Sequence, residues 1–475
     1  MEPIFLDKNI FKANDIRGIY PLEINKQVVF KIVSGISAIF KKNIVVGHDA
    51  RLSSPELYKS VLAALKEIQP GKSFKKIKII EAGLATTPEI YFLVNKFKAD
   101  GGIIVTASHN PKEYNGLKIM GRGAIPISGR EVMNKVFVSS QAASLITANS
   151  LTGFSSHSFQ KVRFSRHAHL ATKFLNKPAP YSLKVYASFL KKHLKVSRKL
   201  KIVVDCSSGT TGMVLKNLFK SNKKITAVFL NEKPNGNFPA HSPNPLVAGS
   251  LDRLKEVVVK QKADLGIIFD GDGDRVFFMD NLGRQVDPDA VGFILTNKNK
   301  PPFVVSTISS SRVKNIRGTF VSKVGHLFMK EMMRNKKANL GMERSGHYYF
   351  KKFFYCDSGI LAALEIINFV VKLKNNFSEY LDVLPRYYQI EETNFEIKDK
   401  KIFEKKLVRL KNFYKKSAQK IIETDGLLME FDSVDGKWWF SLRFSNSENL
   451  LRLNLEANNQ SLLSAKFIEL KSFIL

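Results

Sequence analysis

The chain is poor in cysteine and tryptophan and has no long apolar run. Its 475 residues include only two cysteines, Cys206 and Cys356. They form no C-x-x-C pair and no zinc spacing, which excludes a disulfide scaffold and a cysteine metal cluster. The best apolar stretch, Ile360 to Val371, is interrupted by Glu365, whereas a membrane span needs about 20 apolar residues. The N-terminus, MEPIFLDKNIFK, lacks the basic and then apolar regions of a secretion signal. These absences predict a soluble cytoplasmic protein with no membrane partner. Hydrophobic residues make up 44% and charged residues 25%, which excludes disorder as the main state.

Acidic residues are also scarce. Forty-two stand against 75 basic ones, a net charge of +33. Such an excess attracts polyanions without sequence preference. No zinc finger and no aromatic–basic RNA-binding pattern accompanies it, so no specific nucleic acid partner is expected. Val132 to Val204 holds no Asp or Glu at all, but 13 Lys or Arg and four of the nine histidines. This stretch reads as a basic linker, a polyanion-binding segment, or a degenerate or wrongly translated one.

Elsewhere apolar strands alternate with amphipathic stretches. NIVVGHD (43–49), KIKIIEAG and GGIIVTASHNP (101–111) read as strands. SSPELYKSVLAALKEI (53–68) reads as a helix capped by Ser53 or Ser54. LKIVVDCSSGTTG opens a second unit whose last recognisable strand is DLGIIFDGDGD. A third starts near PFVVSTISSS and includes an amphipathic helix capped by Asp357 or Ser358. The segment from about residue 386 onward is strand-like and ends in a helix. The expected fold is α/β with largely parallel sheets: three similar mixed α/β domains plus a smaller α+β C-terminal domain. The expected divisions are 1–135, a basic linker or insertion at 136–198, then 199–299, 300–385 and 386–475.

Four loops carry chemistry. Thr106-Ala-Ser-His-Asn-Pro111 follows an apolar strand, where parallel sheets place their ligands. Ser108 there is a candidate nucleophile or phosphoryl carrier, with His109 beside it. Asp270-Gly-Asp-Gly-Asp-Arg275 sets three carboxylates at alternate positions. The glycines let the chain turn tightly enough for all three to meet one hard cation such as Mg²⁺. An EF-hand is excluded, since its sixth position would be Arg275 and its twelfth Asn281. In Gly341-Met-Glu-Arg-Ser-Gly-His347, Glu343, Ser345 and His347 share one side of an extended segment. They suit sugar hydroxyls or a phosphate. Arg443-Phe-Ser-Asn-Ser447 has the makings of a phosphate cradle. Each loop taken alone also reads as an ordinary polar turn.

Together, and in this order, the four loops resemble the α-D-phosphohexomutase family, in its phosphomannomutase/phosphoglucomutase branch. Further segments carry the resemblance: FKANDIRGIYP (11–21), VVGHDARLSSPEL (45–57), NGLKI (115–119), NGNFPAHSPNP (235–245) and KVGHLFMK (323–330). It implies four domains around a central cleft, each giving one loop. It implies a phosphoserine at Ser108, with Mg²⁺ held by Ser108, Asp270, Asp272 and Asp274. Glu343 and Ser345 match the sugar-reading residues, and Arg443, Ser445, Asn446 and Ser447 the loop for the non-transferred phosphate. Arg17, Lys118, Arg275, His326 and His347 match residues that contact phosphate or assist proton transfer, with Lys118 or His109 as the proton carrier.

The implied reaction interconverts hexose 1-phosphate and hexose 6-phosphate, of mannose or glucose. It runs through a hexose 1,6-bisphosphate that also serves as activator, in a monomer or dimer whose partners are small sugar phosphates. Phosphoglucosamine mutase is the near alternative, and a noncatalytic polyanion-binding homologue the distant one. Asn14, His48, Arg344 and the Ser447-Glu448 end of the last loop depart from the family pattern.

Overall fold

The computed structural model describes residues 6–67, 77–138, 179–397, 399–445 and 449–475. The chain divides into two compact units, Met1–Gln285 with Cys356–Lys372, and Val286–Tyr355 with Leu373–Leu475. Most of the acid-free stretch lies outside the described residues.

Among the described residues, the first unit contains two sheets. In the first, β1 (Ile16–Ile19), β2 (Asn43–His48), β3 (Lys78–Leu84), β4 (Gly101–Val105) and β5 (Tyr114–Gly121) run in the order β1-β5-β4-β2-β3, and β6 (Pro126–Ile127) adds to β5. The sheet is mixed rather than largely parallel: β2 is parallel to β3 and β4, while β5 is antiparallel to both β4 and β1. The reason is local. Only the turn 106–113 separates β4 from β5, too short for a parallel crossover. The helices Lys26–Ile36 and Ser54–Glu67 bury Val29, Ile32, Val33, Leu57, Val61 and Leu65. These recur at helical spacing, which is how each helix covers the sheet with one face.

The second sheet runs β10-β9-β7-β8, formed by β7 (Leu200–Asp205), β8 (Ile225–Leu230), β9 (Leu265–Phe269) and β10 (Val276–Met279). The first three are parallel, and β10 returns antiparallel along β9. The sequence pattern points to no strand after β9, because VFFM, the apolar run of β10, is only four residues long. The strand β15 (Cys356–Asp357) and the helix Gly359–Val370 also belong to this unit. Ser358 caps the helix, accepting the Leu361 N–H at 3.1 Å. The helix is not amphipathic as expected: every residue from Gly359 to Asn368 is buried, so its few polar side chains face protein as well.

Among the described residues, the second unit has one α/β sheet and one antiparallel sheet. β11 (Phe303–Ser306) lies between β12 (Thr319–Ser322) and β13 (Leu340–Met342), parallel to both, and β14 (Tyr348–Phe350) pairs antiparallel with β13. The other sheet is formed by β16 (Tyr388–Gln389), β17 (Thr393–Glu396), β18 (Lys420–Ile422), β19 (Leu427–Ser433), β20 (Gly436–Phe444) and β21 (Leu450–Ala457). Its order is β16-β21-β20-β19-β18, with β17 also on β21. The helices Lys400–Tyr414 and Gln460–Ile474 cover it through Phe403, Leu410, Tyr414, Leu463 and Leu470. Phe431 stacks on Trp438 at 3.9 Å beneath them. A mixed α/β protein ending in a smaller α+β portion is what the alternation of apolar runs implied.

Candidate functional site

The first unit brings Ser108 and the acidic loop together. Ser108 lies just past the carboxyl end of β4, and Asp270 directly past the end of β9. The Ser108 Oγ lies 2.9 Å from Asp270 Oδ2 and 3.0 Å from Asp272 Oδ1. All of these side chains are buried. Gly271 permits the approach, because a Cβ there would sit 2.8 Å from the Ser108 carbonyl oxygen. Gly273 turns the loop at φ +76°.

Lys118, on β5, points its ammonium between Asp272 Oδ2 (2.9 Å) and Asp274 Oδ2 (2.5 Å). Two threonines outside the expected set also reach Asp272 Oδ2: Thr87 Oγ1 at 2.7 Å and Thr106 Oγ1 at 3.3 Å. Arg17, on β1, forms a two-nitrogen pair with Asp15 and donates to Asn110 Oδ1 at 2.6 Å. His109 Nδ1 stands 3.4 Å from the Ser108 Oγ. The Arg275 backbone N–H donates to Asp270 Oδ1 at 3.2 Å.

Three buried carboxylates in one place are costly, and the Lys118 ammonium pairs with only two of them, Asp272 and Asp274. Ligand oxygens of Asp270, Asp272 and Asp274 all lie within 4.8 Å of one another. Burial, and then the charges of Asp274 and Asp272, push the Asp270 carboxyl well above its ordinary range. An all-oxygen set of three carboxylates and a hydroxyl is the donor chemistry of a hard divalent ion. The residues present therefore fit Mg²⁺.

Arg51 joins this site although the sequence does not single it out, because it stands in an ordinary strand-to-helix connection. Its side chain is fully buried and pairs with Asp49 at 3.1 Å. The local signal is the Asp49-x-Arg51 spacing just past the end of β2.

The second unit builds two polar clusters. In one, the loop 343–347 closes through Glu343 N–H to the His347 carbonyl (3.0 Å) and Gly346 N–H to the Glu343 carbonyl (3.1 Å). The Glu343 carboxylate accepts the Gly325 N–H at 2.9 Å and the Tyr349 hydroxyl at 2.5 Å. Gly325 immediately precedes the helix His326–Asn335, so His326 starts that helix beside the anchored carboxylate. The His347 ring stacks on Tyr349, and Ser345 is half-buried in the same loop. Arg344 does not stand free in the loop: its Nη1 lies 3.2 Å from Asp289 Oδ2, which also accepts the Ser310 N–H at 2.9 Å.

In the other cluster, Arg443 of β20 faces Arg452 of β21 across the ladder. Glu392 bridges them, accepting Arg443 Nη2 at 3.1 Å and Arg452 Nη1 at 2.9 Å. Arg452 Nη2 also reaches the Ser445 Oγ at 3.3 Å. Arg452 and Glu392 were not expected from the sequence. The available signal was a charged residue inside the apolar alternation of LLRLNLEA. The turn before β19 links the two clusters. Asp425 there accepts the Val324 N–H at 3.0 Å. The adjacent Gly426 packs on Arg443, where a Cβ would lie 2.8 Å from the Arg443 Cα. Asn446 and Ser447 lie outside the described residues.

Known proteins resemble this chain in sequence and architecture. Three family models match the chain: phosphoglucomutase/phosphomannomutase alpha/beta/alpha domain I over residues 8–143, domain II over 181–283 and domain III over 287–387. A phosphomannomutase of Methanocaldococcus jannaschii is 33% identical, over 99% of this chain and 98% of its own. A phosphomannomutase of Escherichia coli K12 is 31% identical, over 94% of each chain. A phosphoglucomutase/phosphomannomutase family protein of Burkholderia thailandensis has the same fold. Its TM-score is 0.80 at 23% identity, over 99% of this chain and 97% of that one.

Proposed function

The chain belongs to the phosphoglucomutase/phosphomannomutase family, and we propose that it interconverts the 1-phosphate and 6-phosphate of mannose or glucose, with Ser108 as phosphoryl carrier. The observation that carries this is the buried Ser108 Oγ between Asp270 and Asp272, at 2.9 and 3.0 Å.

In this reading the hexose hydroxyl forms a bond to the phosphorus of phosphoserine as the bond from phosphorus to Ser108 Oγ breaks. A hexose 1,6-bisphosphate results. After it reorients, its other phosphoryl group returns to Ser108 and the isomeric monophosphate leaves. Asp270, Asp272 and Asp274 would hold Mg²⁺, which supplies charge neutralisation at the transferring oxygens. Lys118 orients Asp272 and Asp274 and adds positive charge beside them. Lys118 or His109 would carry the proton from the hexose hydroxyl to the departing Ser108 Oγ, beside which the His109 ring stands. Arg17 fixes Asn110, and so the far side of the serine loop, and Arg275 adds a cation beside Asp270. Glu343, Ser345, His326 and His347 recognise the sugar and its phosphate. Arg443, Arg452 and Ser445, with Asn446 and Ser447, hold the phosphate that is not being transferred.

A coupled mutase assay tests the reading. Mannose 1-phosphate, glucose 1-phosphate and glucosamine 1-phosphate are compared with Mg²⁺ and a trace of glucose 1,6-bisphosphate. Turnover of the first two is expected. Preference for the amino sugar would reassign the substrate, and no turnover of any would overturn the activity.

A further inference from the structure

We propose that Arg51 is the positioning residue of the phosphoryl-carrying serine, an inference that rests on reading Ser108 as that carrier. A guanidinium has five N–H donors in a rigid planar fork. Arg51 commits every nitrogen to the protein. Its Nε donates to Asp49 Oδ2 at 3.1 Å. Its Nη1 donates to the carbonyls of Pro111 (2.6 Å) and Tyr114 (3.0 Å). Its Nη2 donates to the carbonyls of Ser108 (2.8 Å) and Asn110 (2.6 Å). Four of the five acceptors are thus backbone oxygens between Ser108 and Tyr114, in and just after the loop that carries the serine. With no donor left and no exposed side-chain surface, Arg51 does not touch substrate. It acts through Ser108.

The clamp is needed because of the conformation it holds. Ser108 has φ +51°, a left-handed backbone that a side chain disfavours and that persists only when its surroundings enforce it. Both peptide groups of Ser108 are fixed. Its N–H donates to Thr106 Oγ1 at 2.8 Å, and Thr106 Oγ1 in turn donates to Asp49 Oδ2 at 2.8 Å. Its carbonyl is held by Arg51, which pairs with that same Asp49 oxygen. Ser54 Oγ and the Arg51 N–H occupy the other Asp49 oxygen, at 2.5 and 3.0 Å. Asp49 and Arg51 thus close a ring around the strained residue and aim its hydroxyl at the acidic loop.

The free face of the guanidinium is covered too. The Phe238 ring centroid lies 5.4 Å from it, within cation–π range. Gly236 allows this, since a Cβ there would meet the Leu52 nitrogen at 2.4 Å and the Ala50 oxygen at 2.5 Å. The segments 45–57 and 235–245, which carry no catalytic side chain, therefore act together by enclosing Arg51.

A lysine at position 51 keeps the charge, but its donors radiate from one nitrogen and cannot span carbonyls from Ser108 to Tyr114. Arg51→Lys in the full-length enzyme is expected to lower kcat about 100-fold, the scale of a small misplacement of a reacting group. KM and calorimetric Mg²⁺ affinity should stay within about threefold. Uptake of labelled phosphate from glucose 1,6-bisphosphate at Ser108 should slow in parallel with kcat. Arg51→Gly leaves a cavity, and low-millimolar guanidinium should restore the labelling rate about tenfold while leaving the wild type unimproved. A denaturant cannot rescue a protein that is merely unstable, so this readout separates positioning from folding. Should neither variant fold, Phe238→Leu leaves every Arg51 hydrogen bond in place and should slow labelling about fivefold without changing KM.

Arg51→Lys with wild-type kcat would overturn the proposal, as would activity losses that follow the unfolded fraction and ignore guanidinium. A wild type that carries no label at Ser108 would overturn the carrier reading, and this proposal with it. Labelled wild type with unaffected variants would overturn the role of Arg51 alone.

Discussion

The serine–aspartate centre of the first unit and the arginine pair of the second are built on opposite principles. Around Ser108 the negative groups are concentrated and buried: three carboxylates, met by Lys118 and two threonines, beside a serine at positive φ. Around Arg443 the positive groups are paired side chain to side chain, with Glu392 shared between Arg443 and Arg452. On the proposed reading the first arrangement suits a cation and a covalent carrier. The second is half neutralised, one carboxylate against two guanidiniums, so an incoming phosphate would compete with a carboxylate that is itself 28% exposed. Rigid placement suits the atoms that exchange bonds, and exchangeable pairing suits a group that must bind, release and rebind as a bisphosphate turns over.

The sharpest way to break this contrast is at Ser108. Ser108→Ala is expected to abolish turnover in the coupled assay while leaving sugar phosphate binding measurable. Wild-type rates would remove the carrier. Next is Asp272→Asn. Asp272 meets Ser108, Thr87, Thr106 and Lys118 at once, so kcat should fall by about 100- to 1000-fold, as for a preorganised electrostatic group. Mg²⁺ affinity measured by calorimetry should fall with it, and unchanged affinity would reject the metal assignment.

The arginine pair should respond in KM instead. Losing a charged hydrogen bond costs about 1.5–3 kcal/mol, so Arg443→Ala should raise KM for the sugar phosphate roughly 10- to 100-fold with a smaller change in kcat. Glu392→Gln should lower that KM a few-fold, since it removes the competing charge. A rise in KM would mean that Glu392 serves mainly to orient the two guanidiniums.

The smallest effect is on stability. Glu89, buried in the helix Thr87–Lys96 of the first unit, is raised from 4.5 to about 7, chiefly by burial. A raised carboxyl favours folding while protonated. Folding is therefore penalised progressively as pH rises from about 4.5 through about 7, and the penalty is constant above that. Glu89→Gln should match the wild type below about pH 4.5 and exceed it by up to about 3 kcal/mol at about pH 8. Urea unfolding at the two pH values checks this, and equal midpoints at the higher one would show that Glu89 is already compensated.

Much of this contrast was legible in the sequence, unevenly. TASHNP and DGDGD announce themselves because small residues and charges interrupt apolar strands. The strand β4 was readable as an apolar run ending in a polar loop, and the helix Ser54–Glu67 from its periodicity. Strand β10 was not, since VFFM is only four residues long, and the antiparallel β4–β5 pair was hidden by a helix-free turn that reads like any loop. Arg51, Thr87, Arg452 and Glu392 were invisible for another reason. Each matters through a partner far along the chain: Arg51 through the Ser108 carbonyl, Thr87 through Asp272, Arg452 and Arg443 through Glu392.

By itself the sequence determined the α/β character, the order of the polar loops, and the chemistry available in each, because strand and helix periods and the donor sets of side chains are local properties. Tertiary structure alone decided which loops meet, that Arg344 is tied to Asp289, and that Ser108 is held left-handed by an arginine 57 residues earlier. Contacts at such separation depend on strand order and burial. Burial is what turns a guanidinium with five acceptors from a surface charge into a clamp.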